Sequence, residues 1–255
     1  MTPLLITLLI VAGIALLIVI GYLNNVVENA KLERARLKIE LAERLRRCGE
    51  INETFPRQLM TPALKTLLTR LELNLYQRQL ALDKHNTEIK GRISELESLI
   101  AQGDGIAINN PPSPIQTEAK AKEVRFLLES LHNQIVRATQ EGFLQTNEGK
   151  YWVKEIRHLL VLLHIEFFNN LGQQALQQNQ PGQARLAFDR GVQYLRKQQD
   201  PKQYDEQRIY LEKLLARADA LVKDQMEPAE NDENALTQGL KTDESENWKK
   251  KALYD

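Results

Sequence analysis

The sequence predicts an all-α protein that carries a membrane-spanning helix near its N-terminus. Three observations support this fold class. Leu, Gln, Glu, Lys, Arg and Ala dominate the chain, aromatic residues make up only 6%, and no long stretch alternates between apolar and polar residues as a strand would. Residues 4–20 carry no charge. The apolar residues that follow recur at helical spacing, which favours helices throughout.

The first helix begins with an apolar segment of membrane-spanning length. Residues 4–22 would extend about 28 Å at 1.5 Å per residue, close to the ~30 Å hydrocarbon core of a bilayer. A cleaved secretory signal is the alternative, but residues 1–3 contain no basic side chain and no small-residue cleavage pattern follows the segment. We therefore expect residues 1–3 to be a short tail and residues 4–22 an uncleaved anchor in the lipid bilayer.

The charges that flank this segment predict its orientation. No Lys or Arg precedes it, and four basic residues follow it closely: Lys31, Arg34, Arg36 and Lys38. Because cytoplasmic flanks carry the excess of basic residues, we expect a bacterial inner-membrane protein whose N-terminus is outside and whose body is cytoplasmic. The basic side chains could also contact anionic lipid, but four nearby glutamates favour a solvated helix face.

Residues 23–102 are predicted to form two long helices. The first continues from the membrane to about Arg47, with Gly49 as its stop. The second starts after Thr61, which can cap it, and runs to about Gln102. Steps of four and three residues from Leu64 place apolar side chains at most positions of one seam. This pattern is typical of a coiled-coil-like helix, and a homodimer through residues 26–102 is one partner hypothesis.

The C-terminal half is predicted to be a separate helical domain. Residues 103–116 contain Gly103, Gly105 and three prolines, so we expect a flexible linker there. Four helices should follow within residues 117–223: about 117–141, 150–179, 182–197 and 202–223. Residues 224–255 hold nine acidic and four basic residues and little apolar mass, which predicts a disordered acidic tail.

One segment of this domain carries the features of a helical repeat. Within residues 165–198, four signature features occur at repeat spacing: Phe168, the pair Leu171-Gly172, Ala184 and Phe188. The segment resembles a tetratricopeptide repeat, although Ala175 and Gly191 stand where that family prefers larger residues. The resemblance implies a helix-turn-helix unit in which these residues belong to a partner-binding hairpin. An ordinary pair of helices with a chance Leu-Gly is the alternative.

Residues that support catalysis are sparse. The four histidines lack the spacing of a metal site, and no Gly-rich phosphate-binding loop is present, so we expect no cofactor and no metal. Zero net charge argues against nucleic-acid binding. The C-terminal residues Trp248, Leu253 and Tyr254 are candidates for a short docking peptide, with an inert tail as the alternative.

These features together predict a non-enzymatic, membrane-tethered scaffold or adaptor. We expect it to bind a protein partner at the cytoplasmic face of the inner membrane, in envelope assembly or cell division. A dimeric coiled-coil coupler for signalling or mechanical movement is the alternative function. An enzyme or a DNA-repair-associated factor is a remote one. The identity of the partner does not follow from the sequence.

Overall fold

The computed structural model describes residues 3–226, except for the side chains of residues 3–12, 14, 15 and 226. The described residues form seven α-helices and no strand, which confirms the all-α class. Their bounds are α1 Pro3–Thr54, α2 Pro62–Leu82, α3 Thr87–Ala101, α4 Glu118–Gln140, α5 Thr146–Gln177, α6 Pro181–Arg196 and α7 Asp205–Met226. The chain divides into two compact units, Met1–His164 and Ile165–Asp255, here called the first and the second unit.

The first unit is built on the C-terminal part of α1. This helix packs against α2 and α4, and α2 packs against α3. The side chains of α1 that become buried share one helix face and recur every three or four residues: Leu41, Arg44, Cys48, Ile51 and Asn52. Earlier in α1, side chains from Leu16 to Glu40 are exposed except for the partly buried Ala30. Only the last quarter of α1 therefore belongs to the core.

The predicted long second helix is divided in two. Residues 83–86 interrupt it, and Asn86 caps the start of α3 by accepting a hydrogen bond from the backbone N–H of Ile89 at 3.2 Å. The apolar seam consequently folds back on itself within one chain, because α2 and α3 pack together. The start of α2 is as predicted, since Thr61 Oγ1 accepts from the backbone N–H of Leu64 at 3.1 Å.

The segment 103–116, for which we predicted a flexible linker, is tied to the first unit. Ile106, Asn110 and Ile115 are buried. Arg57 donates its backbone N–H to the carbonyl of Pro111 at 3.4 Å, and Gln58 Nε2 donates to the carbonyl of Ser113 at 2.7 Å. The preceding helix α3 ends at Ala101, just before Gly103 with its φ of 54°, as predicted. Apolar burial and these hydrogen bonds nevertheless hold the segment in place. The boundary between the compact units falls at residue 165 instead.

Both ends of the chain lie partly outside the described residues. Within the part of the chain that the structure describes, no helix is both long and apolar enough to cross a membrane. Most side chains of the predicted span 4–22 lie outside that part. Of the predicted acidic tail, residues 224–226 continue α7, and the rest, with Trp248, Leu253 and Tyr254, lie outside the described residues.

Candidate functional site

The hairpin of the second unit is set by the turn between α5 and α6. Asn179 adopts the left-handed conformation with φ of 56°, which Asn tolerates better than most residues. The backbone N–H of Gln180 then donates to the carbonyl of Ala175 at 2.9 Å, and that of Asn179 to the carbonyl of Leu176 at 3.0 Å. This hydrogen-bond pair satisfies the last carbonyls of α5. Pro181 opens α6 with the φ angle that a first helical residue needs.

Small residues let the helices of the second unit approach one another closely. A Cβ atom added to Gly172 on α5 would overlap the ring of Phe188 on α6. Gly191 is similarly confined, because an added Cβ would lie 2.9 Å from Leu211 Cδ1 on α7 and 3.2 Å from Phe168 Cβ. The departure at Gly191 from the repeat pattern therefore has a packing reason: Leu211 and Phe168 occupy the space that a larger side chain needs.

The five residues predicted to bind a partner lie at different depths in this unit. Ala184 and Phe188 are fully buried, and Gly172 is buried between the helices. Phe168 and Leu171 are partly buried. The buried residues hold the hairpin together and offer no surface to another protein. Their role in this structure is to shape the unit.

The exposed apolar side chains of the second unit lie elsewhere. Among the residues of this unit that the structure describes, the large ones are Leu186 on α6 and Ile209, Tyr210 and Leu221 on α7. Tyr210 is 50% exposed, and Tyr is a common anchor in protein interfaces because it joins a large apolar area to a hydroxyl group. The search for repeat spacing in the sequence missed these residues, because an exposed residue leaves no periodic signal. We call these four side chains the outer apolar residues of the second unit.

A polar network runs from the core of the first unit to its surface, with Arg44 and Gln134 buried and Glu141 and Arg78 partly exposed. Arg44 Nε donates to Gln134 Oε1 at 3.2 Å, and Arg44 Nη1 donates to Glu141 Oε1 at 2.6 Å. Arg78 Nη1 also binds Glu141, through its other carboxylate oxygen. Burial alone would raise the pKa of Glu141, but Arg44 and Arg78 outweigh burial and lower it. The network thereby joins α1, α2 and α4.

A second polar cluster closes the C-terminus of α1. Asn110 Nδ2 donates to the carbonyls of Asn52 at 3.0 Å and Phe55 at 2.9 Å. Lys65 Nζ donates to the carbonyl of Asn52 at 2.8 Å. The last carbonyls of a helix lack partners within it and carry partial negative charge, so an amide and an ammonium group stabilise this helix end. Their role here is structural.

Groups that could carry chemistry are confined by their surroundings. Burial, followed by the charge of Glu72, raises the pKa of the Cys48 thiol, and a protonated thiol is a poor nucleophile. No group of three or more His, Cys, Asp or Glu side chains in the described residues could hold a metal ion. An open groove of about 540 Å³ lies between α1, α2 and α3, with Tyr76 and Arg92 in its lining. It contains no histidine and no cysteine.

Comparison with known proteins identified no similar protein. No protein-family model matches the sequence, and no curated protein or solved structure is significantly similar to the chain. The proposals below therefore rest on the residues and contacts of this chain.

Proposed function

We propose that the chain is a membrane-tethered, non-enzymatic adaptor whose second unit binds a protein partner at the cytoplasmic face. One observation supports this most directly. Leu16, Leu17, Ile18, Val19 and Ile20 surround α1 and are between 53% and 68% exposed. Each square ångström of apolar surface in water costs about 25 cal/mol, so this part of α1 is more stable in lipid.

The outer apolar residues of the second unit support the adaptor role. Leu186 and Tyr210 are half exposed on neighbouring helices of a unit whose core is already filled by Phe188 and Leu211. A contiguous exposed apolar patch on a protein surface marks an interaction site, and we propose that these side chains form such a patch. We propose these outer residues, with the partly buried Phe168 and Leu171, as the partner-binding surface.

Membrane tethering is tested by extraction of native membranes with alkaline carbonate. The wild-type chain should stay with the membranes. Asp at both Gly13 and Leu16 costs roughly 5–7 kcal/mol at the centre of a span, comparable to the whole gain from inserting the segment, so this double variant should be released. The matched control places Asp at Leu32 and Ile39, exposed apolar residues beyond the predicted span. Release of the wild-type chain would contradict the tether.

Partner binding is tested by photo-crosslinking from the second unit in native membranes. A crosslinker at Leu186 or Tyr210 should capture one reproducible protein. The same crosslinker at Gln193 or Lys213, exposed residues on the same two helices, should capture less of it. Equal capture from all four positions would show that the outer apolar residues are not the binding surface.

A further inference from the structure

The exposed part of α1 carries a regular seven-residue pattern that its own chain does not cover. The positions Leu16, Ile20, Leu23, Val27, Ala30, Arg34 and Leu37 follow one another at alternating steps of four and three residues. We call these seven residues the stem face. Such spacing places side chains on one side of a helix and is the pattern of a coiled-coil seam. The structure leaves six of them exposed and the small Ala30 partly buried.

The other predicted seam is already occupied. Leu64, Leu68, Leu71 and Leu75 of α2 are buried, as are Ile89 and Leu96 of α3, and these two helices pack against each other. They cannot pair with a second chain without unfolding the first unit. Of the residues 26–102 predicted to form a dimer, those of α1 therefore remain available, because their apolar side chains are exposed.

The charges beside the stem face indicate which occupant fits it. Arg34 occupies position a of its heptad and Leu37 position d. Glu33 then lies at position g, directly before Arg34, and Lys38 at position e, directly after Leu37. In a parallel pair of identical helices, Glu33 of one copy lies beside Lys38 of the other. In an antiparallel pair, Glu would face Glu and Lys would face Lys. The stem face is thus complementary to itself in the parallel arrangement alone.

Arg34 gives a further reason for one register. A single polar residue at such a seam position lowers stability, but it fixes the register and favours a dimer. In the parallel, in-register arrangement, the two Arg34 side chains share one layer of the seam, and Glu33 of the other copy lies next to each of them and offsets their repulsion. Any shifted register would place its charge against leucine or valine side chains. The apolar contacts of the stem face and the attraction between Glu33 and Arg34 therefore favour the same parallel, in-register alignment.

We infer that a second copy of this chain covers the stem face, through a parallel, in-register coiled coil of α1 over residues 16–37. The inference goes beyond the proposed adaptor function and does not depend on it. Leu23 to Leu37 lies after the predicted span, and the charge argument holds whether or not the helix begins in lipid.

Disulfide crosslinking of the full chain tests the arrangement. Cysteine is introduced singly at Leu23 or Leu37 and oxidised with copper phenanthroline after cell lysis, in whichever fraction contains the chain. Both variants should give a covalent dimer, since identical positions face each other in a parallel coiled coil. Leu32→Cys is the matched control, because Leu32 is exposed on the opposite side of α1. The wild-type chain gives the background, since its Cys48 is fully buried.

Each outcome decides the proposal. Dimer formation from Leu23→Cys and Leu37→Cys, but not from Leu32→Cys, supports it. A dimer from co-expressed Val27→Cys and Leu37→Cys chains, with no dimer from either variant alone, would indicate an antiparallel pair and overturn it. Equal yields at all three positions, or no dimer, would also overturn it. A monomer that remains in carbonate-washed membranes and captures its partner would leave the adaptor function intact.

Charge reversal tests the pairing in a second way, because a variant that merely misfolds would not recover its crosslinking when the second charge is also reversed. Glu33→Lys and Lys38→Glu should each lower dimer association roughly three- to tenfold, because each turns two attractive contacts of the dimer into repulsive ones. The double variant Glu33→Lys/Lys38→Glu restores opposite charges between positions 33 and 38, but not between position 33 and Arg34, so it should recover part of the crosslinking lost in each single variant. No loss in the single variants, or no recovery in the double variant, would reject the assigned pairing.

Discussion

The ring of Phe188 lies against Gly172, at a point where no Cβ atom fits between α5 and α6. Phe188 is fully buried, so its ring cannot move aside into solvent. This contact explains why a glycine occupies an interior position near the C-terminal end of α5, where it costs about 1 kcal/mol relative to alanine. Close approach of the two helices outweighs that cost.

Gly172→Ala should destabilise the second unit. The added methyl group overlaps the Phe188 ring, which costs about 1–3 kcal/mol, and the gain in helix propensity of about 1 kcal/mol offsets part of this. Hydrogen exchange in residues 165–196 should therefore become faster. Gly182→Ala is the control, because an added Cβ there meets no atom within 4 Å. Combining Gly172→Ala with Phe188→Leu should cost less than the sum of the single changes; strict additivity would contradict the contact.

Arg44→Met should destabilise the first unit by about 2 kcal/mol. The change leaves Gln134 and the carboxylate of Glu141 without their shared donor, while the methionine fills part of the space. The loss in the free energy of unfolding is smaller than for a fully buried ion pair, because Glu141 is one-third exposed. Denaturant unfolding measures it. Arg46→Met removes an arginine whose partners Glu43 and Glu50 are exposed, and it should change stability by less than about 0.5 kcal/mol.

The effect of Arg44→Met should depend on pH. Although burial alone would raise the pKa of Glu141, Arg44 and Arg78 lower it below the ordinary value of 4.5. A carboxylate with a lowered pKa contributes stability that is present above pH 4.5 and lost as the pH falls through the folded-state value. The difference between wild type and variant should therefore shrink in acid. A difference that grows on acidification would contradict this pairing.

Glu72→Gln should raise stability at pH 7. Burial raises the pKa of Glu72 above its ordinary value of 4.5, against the opposing effects of Asn52, Arg92 and Lys65. The protonated Glu72 side chain therefore contributes its full stabilisation below pH 4.5, and this stabilisation is lost as the pH rises through the pKa of Glu72 in the folded state. Glutamine avoids this loss and keeps an oxygen for Asn52 Nδ2. Melting temperatures should differ at pH 7 and converge near pH 4, whereas exposed Glu97→Gln should have little effect at either pH.

Asn110→Ala should destabilise the first unit by about 1–3 kcal/mol, because buried carbonyls at the end of α1 lose their donor. The neighbouring Asn109 is exposed, so Asn109→Ala should stay within about 0.5 kcal/mol of wild type. Denaturant unfolding of the two variants compares the same substitution at adjacent positions. Equal losses would show that the capping contacts contribute nothing specific.

Local signals in the sequence located several helix ends correctly. Thr61 and Thr117 both cap the helices that follow them, as their hydroxyl oxygens accept backbone hydrogen bonds three residues on. Gly49, in contrast, does not stop α1, which continues to Thr54 because Ile51 and Asn52 find burial against the first unit. A breaker residue acts only where no tertiary contact outweighs its local cost.

The sequence missed the division of the predicted second helix. The heptad spacing runs through residues 83–86 without interruption, so periodicity alone extended the helix, and the capping role of Asn86 was overlooked. The five residues predicted to bind a partner lie in the hairpin of α5 and α6, and their role in binding stays a prediction. Repeat spacing located the hairpin, but it selected residues that pack the unit, because sequence periodicity records burial and not exposed binding surfaces.

The sequence by itself determined the all-α class, the starts of α2 and α4, the breaker segment after Ala101 and the close approach at Gly172. These follow from backbone preferences, caps and residue size, which act over a few neighbouring positions. Only the tertiary structure decided that the seam of α2 and α3 closes on itself, that Asn110 rather than Asn109 caps α1, and that the stem face of α1 stays uncovered. These depend on which helices meet, since contacts between residues far apart in the chain determine which apolar stripes become buried.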